Sequence, residues 1–143
     1  MSSSETPTPS KRVHLKWTGN GMEYLGTGEQ GPAAIIDGKS EKGPGPMDTL
    51  LLALAGCMAV DVQVILERSR VPMTSLEVGV VGERAPDHPK RYTRIRLAYR
   101  VEGPGEEHQA KLERAVSLSE EKFCSVLHSL RPDIEFDIEI NRV

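Results

Sequence analysis

The chain has no excess of positive charge and no nucleotide-binding motif. Its 143 residues include 18 basic and 21 acidic side chains, for a net charge of −3. Such a chain does not attract phosphate backbones by bulk charge, so a nucleic-acid partner is not expected. The glycines form neither a GxGxxG fingerprint nor a P-loop, and we therefore predict no nucleotide cofactor.

Long apolar segments are also missing. The unbroken run of apolar or small residues from Leu50 to Val60 has 11 residues, too few to cross a bilayer. The N-terminus lacks the apolar core of a secretory signal. These absences predict a cytoplasmic protein with no membrane partner. Residues 1–10 are rich in Ser, Thr and Pro and predict a disordered tail, followed by a single domain over residues 11–143.

Cysteine is scarce, with only Cys57 and Cys124 in the chain. In a reducing cytosol such a pair is more often catalytic, redox-sensing or inert than a structural disulfide. The two lie 67 positions apart, which excludes a CxxC motif. A zinc site that combined them with His88 and His128 has no recognised spacing, so we predict no metal ion.

The periodicity of apolar residues predicts an α+β fold in the order βββ, long helix, ββ, two helices, β. The predicted elements are strands at 13–17, 22–25 and 33–36, a helix opening at 46–48, strands at 76–84 and 92–101, helices at 107–118 and 120–128, and a strand at 134–140.

The long helix is apolar on every side over its first half, and Pro72 is expected to end it. A helix apolar all round is buried all round. One domain of this size rarely covers such a helix completely, so we predict that a second copy of the chain does, in a homodimer.

The neighbours of the cysteines predict two different environments. Ser117 and Glu120 match a capping box that would start a short helix just before Cys124. The helix N-terminus, Lys122 and His128 could then lower the pKa of the Cys124 thiol. For Cys57, the apolar surroundings and Asp61 one turn away would raise the pKa. Composition alone favours the interpretation that both thiols are inert, buried core residues.

Two segments carry a resemblance to a known family. Residues 43–62, GPGPMDTLLLALAGCMAVDV, look like the first cysteine motif of the OsmC/Ohr family, and residues 116–126, VSLSEEKFCSV, look like the second. The resemblance extends from about Val13 to Arg142. It implies an intertwined homodimer of an OsmC-like α+β fold, in which long central helices pack back to back.

The resemblance also implies chemistry. Family members are thiol peroxidases that reduce organic hydroperoxides as antioxidants in the oxidative stress response. Carried over, Cys57 is the peroxidatic thiolate, which becomes a sulfenic acid, and Cys124 is the resolving thiol that condenses with it to an intrachain disulfide. An external dithiol, of the lipoyl type in relatives, restores both thiols by exchange.

The sequence departs from the peroxidases in two places. The peroxidases have a glutamate near the start of the central helix, and this chain has Met47 at that position, with Asp48 beside it. The peroxidases also have an arginine in the N-terminal strand region, and residues 18–23 of this chain contain none. This pattern is closer to the YhfA-like branch of the family. Lys16 or Lys39 could supply the missing cation, without the bidentate geometry of arginine. The candidate supporting residues are Asp48, Asp61, Lys39, Lys16, Glu121 and His128.

Two alternatives stay open at this point. One is a non-catalytic dimer of the OsmC fold that uses its apolar pocket for redox sensing or for a small ligand. The other is a purely structural fold in which both cysteines are inert.

Overall fold

The structure is a computed structural model that describes residues 6–143. It divides into two compact units, one ending at Thr49 and the other covering Leu50–Val143. Of the predicted tail, residues 6–10 are exposed and without regular secondary structure, whereas residues 1–5 lie outside the described part.

The first unit contains a three-stranded antiparallel sheet. Its strands are β1 (His14–Trp17), β2 (Glu23–Thr27) and β3 (Ala34–Asp37), in the order β1-β2-β3. The alternation and the Gly-Asn-Gly turn therefore predicted the first hairpin correctly. After β3, the buried Asp37 carboxylate accepts hydrogen bonds from the backbone N–H groups of Lys39 (2.9 Å) and Lys42 (3.0 Å). These two bonds hold the pKa of Asp37 below its ordinary value and fix the loop.

The long helix α1 runs from Pro46 to Arg68. At its start, the Asp48 carboxylate accepts a hydrogen bond from the Gly45 N–H at 3.2 Å, which satisfies one donor of the helix N-terminus. At its end, Arg70 takes a left-handed conformation (φ 55°) and the Val71 N–H donates back to the Leu66 carbonyl at 2.9 Å. This is a Schellman ending, so the helix stops before Pro72 is reached.

Helix α1 has 23 residues and is strongly apolar over most of its length, although less than a third of this apolar part is buried. Length and composition alone would allow it to cross a membrane, since it extends well beyond the apolar run used for the prediction. The core helix of a soluble protein has the same two properties. Its most buried side chains recur every fourth residue, as one stripe of a helix facing a core: Leu54, Met58, Val62 and Leu66.

The sheet of the second unit consists of β4 (Ser75–Arg84), β5 (Tyr92–Glu102) and β6 (Glu135–Arg142). Strand β5 lies in the centre, antiparallel to β4 and parallel to β6. The predicted hairpin of β4 and β5 is confirmed. The outward arginines of β5 form exposed ion pairs, such as that of Arg94 with Asp137 at 2.6 Å, so this face is solvated and its charge is balanced.

The helical part of the second unit differs from the prediction. A short 3-10 turn (Glu106–His108) leads into α2 (Gln109–Leu118), which continues without a break into one π-helical turn (Ser119–Phe123). Helix α3 (Ser125–Ser129) follows. The predicted capping box is therefore wrong: its two residues lie within continuous helical turns, and Cys124 itself caps α3.

The buried apolar core of the second unit comes from three elements, α1, β5 and α2. Its fully buried members on β5 and α2 are Ile95, Leu97, Tyr99, Val101, Leu112 and Ala115. The β5 residues alternate along the strand, as expected for one face of a sheet covered by helices.

Candidate functional site

The second unit brings together two thiols and one carboxylate. The sulfur atoms of Cys57 and Cys124 and a carboxylate oxygen of Asp61 all lie within 4.8 Å of one another. Both cysteines are free thiols. Cys57 and Asp61 are one turn apart on α1 and therefore share a helix face. We call these three residues the thiol–carboxylate cluster.

The π turn positions the third member of the cluster. The Cys124 N–H donates to the Ser119 carbonyl at 2.8 Å, the five-residue closure of a π turn. The chain then becomes extended at Cys124, whose Sγ accepts a hydrogen bond from the Leu127 N–H at 3.3 Å. The same turn directs the buried Ser119 hydroxyl to Asp61, where it donates to Oδ2 at 2.9 Å. One irregular turn thus places a thiol and orients the carboxylate.

The electrostatics of Cys124 contradict the sequence-based prediction. The side chain is fully buried, and burial raises the pKa of the thiol to about 11. The hydrogen bond from Leu127 opposes this shift, whereas the nearby Cys57 and Asp61 add to it. Loss of hydration outweighs the helix N-terminus and the two basic neighbours, and the Asp61 carboxylate beside the thiol adds to the shift.

Tyr99 on β5 lies near the cluster with its side chain fully buried. Within residues 6–143, its hydroxyl has no hydrogen-bond partner. Burial raises the pKa of Tyr99 well above its usual range, and the charges of Cys124, Asp61 and Glu120 raise it further. Tyr99 is therefore a neutral donor with an unused proton.

A groove of about 220 Å³ adjoins the cluster at Asp61. It is lined by Asp61, Val64, Ile65, Arg68 and Phe123. The wall is mostly apolar, and Arg68 contributes one cation. The exposed Phe123 ring closes one side, with the Lys122 ammonium 5.2 Å from its centroid. The groove gives a small molecule with an apolar part access to the carboxylate of the cluster.

The other predicted site residues have different positions. Asp48 caps the start of α1, as described above. Glu121 is exposed on the π turn. His128 places Nε2 3.0 Å from the Glu120 carbonyl oxygen, and its backbone N–H donates to the Cys124 carbonyl. Lys16 lies on β1 and Lys39 in the loop after β3, both in the first unit, and their role as substitute cations stays a prediction.

Two residues of the site were not predicted from the sequence. Ser119 lies between the two residues of the predicted capping box, and Tyr99 lies in the predicted strand at 92–101. The order of residues contains no signal for either role, because the Ser119 hydroxyl and the Asp61 carboxylate are 58 positions apart. Only Asp61 could be found, from its helical spacing to Cys57.

A two-sheet α+β fold with paired cysteines, one on a long apolar helix, defines a class of thiol proteins. The sequence profile described as OsmC-like protein matches residues 38–139, and the chain belongs to the OsmC family. It is 38% identical to protein YhfA of Escherichia coli K12 over 116 residues, which cover 80% of this chain and 85% of that one. The expected relation to the OsmC/Ohr family and to its YhfA-like branch is confirmed.

Solved structures share the fold. A hypothetical protein from Aquifex aeolicus superposes with a TM-score of 0.82 at 30% identity, covering 95% of this chain and 98% of that one. An OsmC-like protein from Mycoplasma pneumoniae gives a TM-score of 0.75 at 16% identity over 94% and 96% of the two chains. More distant is an organic hydroperoxide resistance protein from Elizabethkingia anophelis, with a TM-score of 0.62 at 11% identity over 97% and 100%.

Proposed function

We propose that this protein reduces organic hydroperoxides with its two thiols. The observation that carries the proposal is the approach of the Cys57 and Cys124 sulfurs to within 4.8 Å while both remain free thiols. A disulfide requires a sulfur separation of about 2 Å, so a modest movement of the π turn or of two side chains would allow the bond to form.

In the proposed reaction, Cys57 is the peroxidatic residue and attacks the terminal peroxide oxygen. The O–O bond breaks, an alcohol leaves, and Cys57 becomes a sulfenic acid. The Cys124 sulfur then attacks the Cys57 sulfur, which forms the disulfide and releases water. An external dithiol, for which we propose a lipoyl-type reductant, restores both thiols and is itself oxidised to a disulfide.

The order of attack follows from exposure and charge. Cys57 is only partly buried, whereas Cys124 is fully buried with a raised pKa. A peroxide therefore reaches Cys57 more easily than Cys124. The Cys124 thiol stays protonated until a sulfenic acid forms beside it, which suits the resolving step. The Asp61 carboxylate lies within 4.8 Å of both sulfurs, so its charge acts on the resolving step as well.

The groove next to the cluster supports an organic substrate rather than hydrogen peroxide. Val64, Ile65 and Phe123 would bury the hydrocarbon part of a hydroperoxide, and Asp61 lies at the polar end. The names of distant structural neighbours, such as the organic hydroperoxide resistance protein from Elizabethkingia anophelis, agree with this substrate class.

We also propose a cytoplasmic homodimer. Helix α1 exposes 58% of Leu52 and 58% of Val60, more apolar surface than a helix leaves to water. Sedimentation equilibrium should give a dimer, and a Leu52→Glu/Val60→Glu variant should shift it to monomer. A monomeric wild-type protein at micromolar concentration would contradict the dimer, and recovery only in the membrane fraction of cells would contradict the location.

One set of observations favours the non-catalytic alternative. The chain has Met47 where the peroxidases have glutamate, and it has no arginine in residues 18–23. A protein of this kind would bind a redox-active or apolar ligand without turnover.

The deciding experiment treats the fully reduced protein with one equivalent of cumene hydroperoxide and maps its thiols by mass spectrometry. We expect a Cys57–Cys124 disulfide in the wild type, a stable Cys57 sulfenic acid in Cys124→Ser, and no oxidation of Cys124 in Cys57→Ser. Two unmodified thiols after prolonged exposure would refute the proposal in favour of the ligand-binding alternative. Equal turnover with a dithiol in Cys57→Ser would refute the peroxidatic role of Cys57.

A further inference from the structure

We propose that the reduced protein binds one thiophilic divalent cation, with Zn²⁺ as the best fit, through Cys57, Asp61 and Cys124. The three donor atoms already lie within 4.8 Å of one another. In a tetrahedral zinc site with Zn–S near 2.3 Å and Zn–O near 2.1 Å, donor atoms are roughly 3.5 Å apart. Each atom therefore needs to move by about 1 Å or less to reach the ion.

The donor set selects the kind of ion. Two thiols and one carboxylate suit a borderline-soft metal, whereas Mg²⁺ and Ca²⁺ require oxygen donors. Three protein ligands leave the fourth tetrahedral position open. The groove lined in part by Asp61 has a volume of about 220 Å³, enough to hold a water molecule or a small ligand next to this donor.

The surroundings of the cluster hold the donors in place. Ser119 donates to Asp61 Oδ2 at 2.9 Å, which orients the carboxylate and leaves Oδ1 available to an ion. The Leu127 N–H donates to Cys124 Sγ at 3.3 Å, a bond that favours the thiolate. The fully buried Tyr99 hydroxyl has no hydrogen-bond partner within residues 6–143, so its proton is unused near the cluster.

Charge balance also favours a cation. The cluster combines three groups that can each carry negative charge, and among residues 6–143 Asp61 forms no ion pair with a basic side chain. A divalent ion would balance the Asp61 carboxylate and the two thiolates that form as the ion binds. Binding would convert both thiols to thiolates and release two protons to solvent.

Metal binding and oxidation would exclude each other. The ion requires both sulfurs as thiolates, and a Cys57–Cys124 disulfide leaves neither. A bound ion would protect the thiols from oxidation, and oxidation would release the ion. This inference concerns the reduced protein alone and does not depend on hydroperoxide reduction.

The test uses Co²⁺ as a spectroscopic probe on reduced, chelator-stripped protein without peroxide. Because the chain has only two cysteines, a thiolate-to-cobalt charge-transfer band reports on this cluster alone. We expect one ion per chain, displacement of Co²⁺ by Zn²⁺, and loss of about half the band in Cys57→Ser and in Cys124→Ser. The disulfide form should bind no ion.

Asp61→Asn tests the third ligand. It should weaken the binding of Zn²⁺ at least about tenfold while the charge-transfer band persists. Glu121→Gln, an exposed carboxylate on the neighbouring turn, is the matched control and should bind as the wild type does. Absence of the band, unchanged affinity in Asp61→Asn, or one ion shared between two chains would overturn the proposal. Circular dichroism of each variant shows whether a loss of binding reflects unfolding.

Discussion

The most direct consequence of the site geometry is that Cys124 should be nearly inert toward alkylation in the folded protein. Its pKa of about 11 leaves a thiolate fraction of roughly 10⁻⁴ at pH 7, whereas an ordinary thiol with a pKa of about 8.5 has roughly 3%. Ionisation alone therefore slows the reaction roughly 300-fold, and full burial of the side chain slows it further.

The assay measures the initial rate of iodoacetamide labelling at each cysteine by peptide mass spectrometry, with a chelator present. The rate at Cys124 in folded protein is compared with that of the same peptide in urea. Labelling in the folded state should accelerate as the pH approaches 11. Asp61→Asn should accelerate it at neutral pH, because the aspartate charge raises the pKa of Cys124, whereas Glu121→Gln should not. A folded rate within about tenfold of the unfolded rate at pH 7 would refute the reasoning.

Three further predictions concern stability. Tyr99→Phe removes a buried hydroxyl without a partner and should raise the free energy of unfolding in urea by about 1–2 kcal/mol; a loss of stability would show that the hydroxyl is hydrogen-bonded. Leu112→Ala should lower the free energy of unfolding by about 2–5 kcal/mol, since this side chain of α2 is fully buried. As a control, substitution of the exposed Lys111 on the same helix, Lys111→Ala, should change the free energy of unfolding by less than about 0.5 kcal/mol. Because the folded state holds the Cys124 proton more tightly than the unfolded state, stability should fall as pH rises from about 9 toward about 11. Cys124→Ser should remove that part of the decline, and an identical decline in the variant would assign it to other groups.

Much of the fold could be predicted because periodicity reflects burial. Strict alternation located β5, whose inward side chains are buried, and the apolar run located α1. The element order was correct throughout. The ends of helices were predicted less accurately where backbone hydrogen bonding decides them. Helix α1, for example, ends at the left-handed Arg70 and not at Pro72.

The site was only partly predictable. Helical spacing placed Asp61 beside Cys57, and the family resemblance paired Cys57 with Cys124. The pKa shift of Cys124 was predicted in the wrong direction. The sequence shows the charged neighbours of Cys124 along the chain but not the burial that raises its pKa. Local charges count for less than desolvation when a side chain is fully enclosed.

The sequence by itself determined the order of elements, the family, and the two residues of the site that share one helix face. All three follow from periodicity and motif, which are properties of neighbouring residues. The packing of the folded chain alone shows that Ser119 and Tyr99 lie at the same site as Cys57, Asp61 and Cys124. Those contacts join residues far apart in the chain through one π turn and the central strand, and close packing rather than local order fixes their distances.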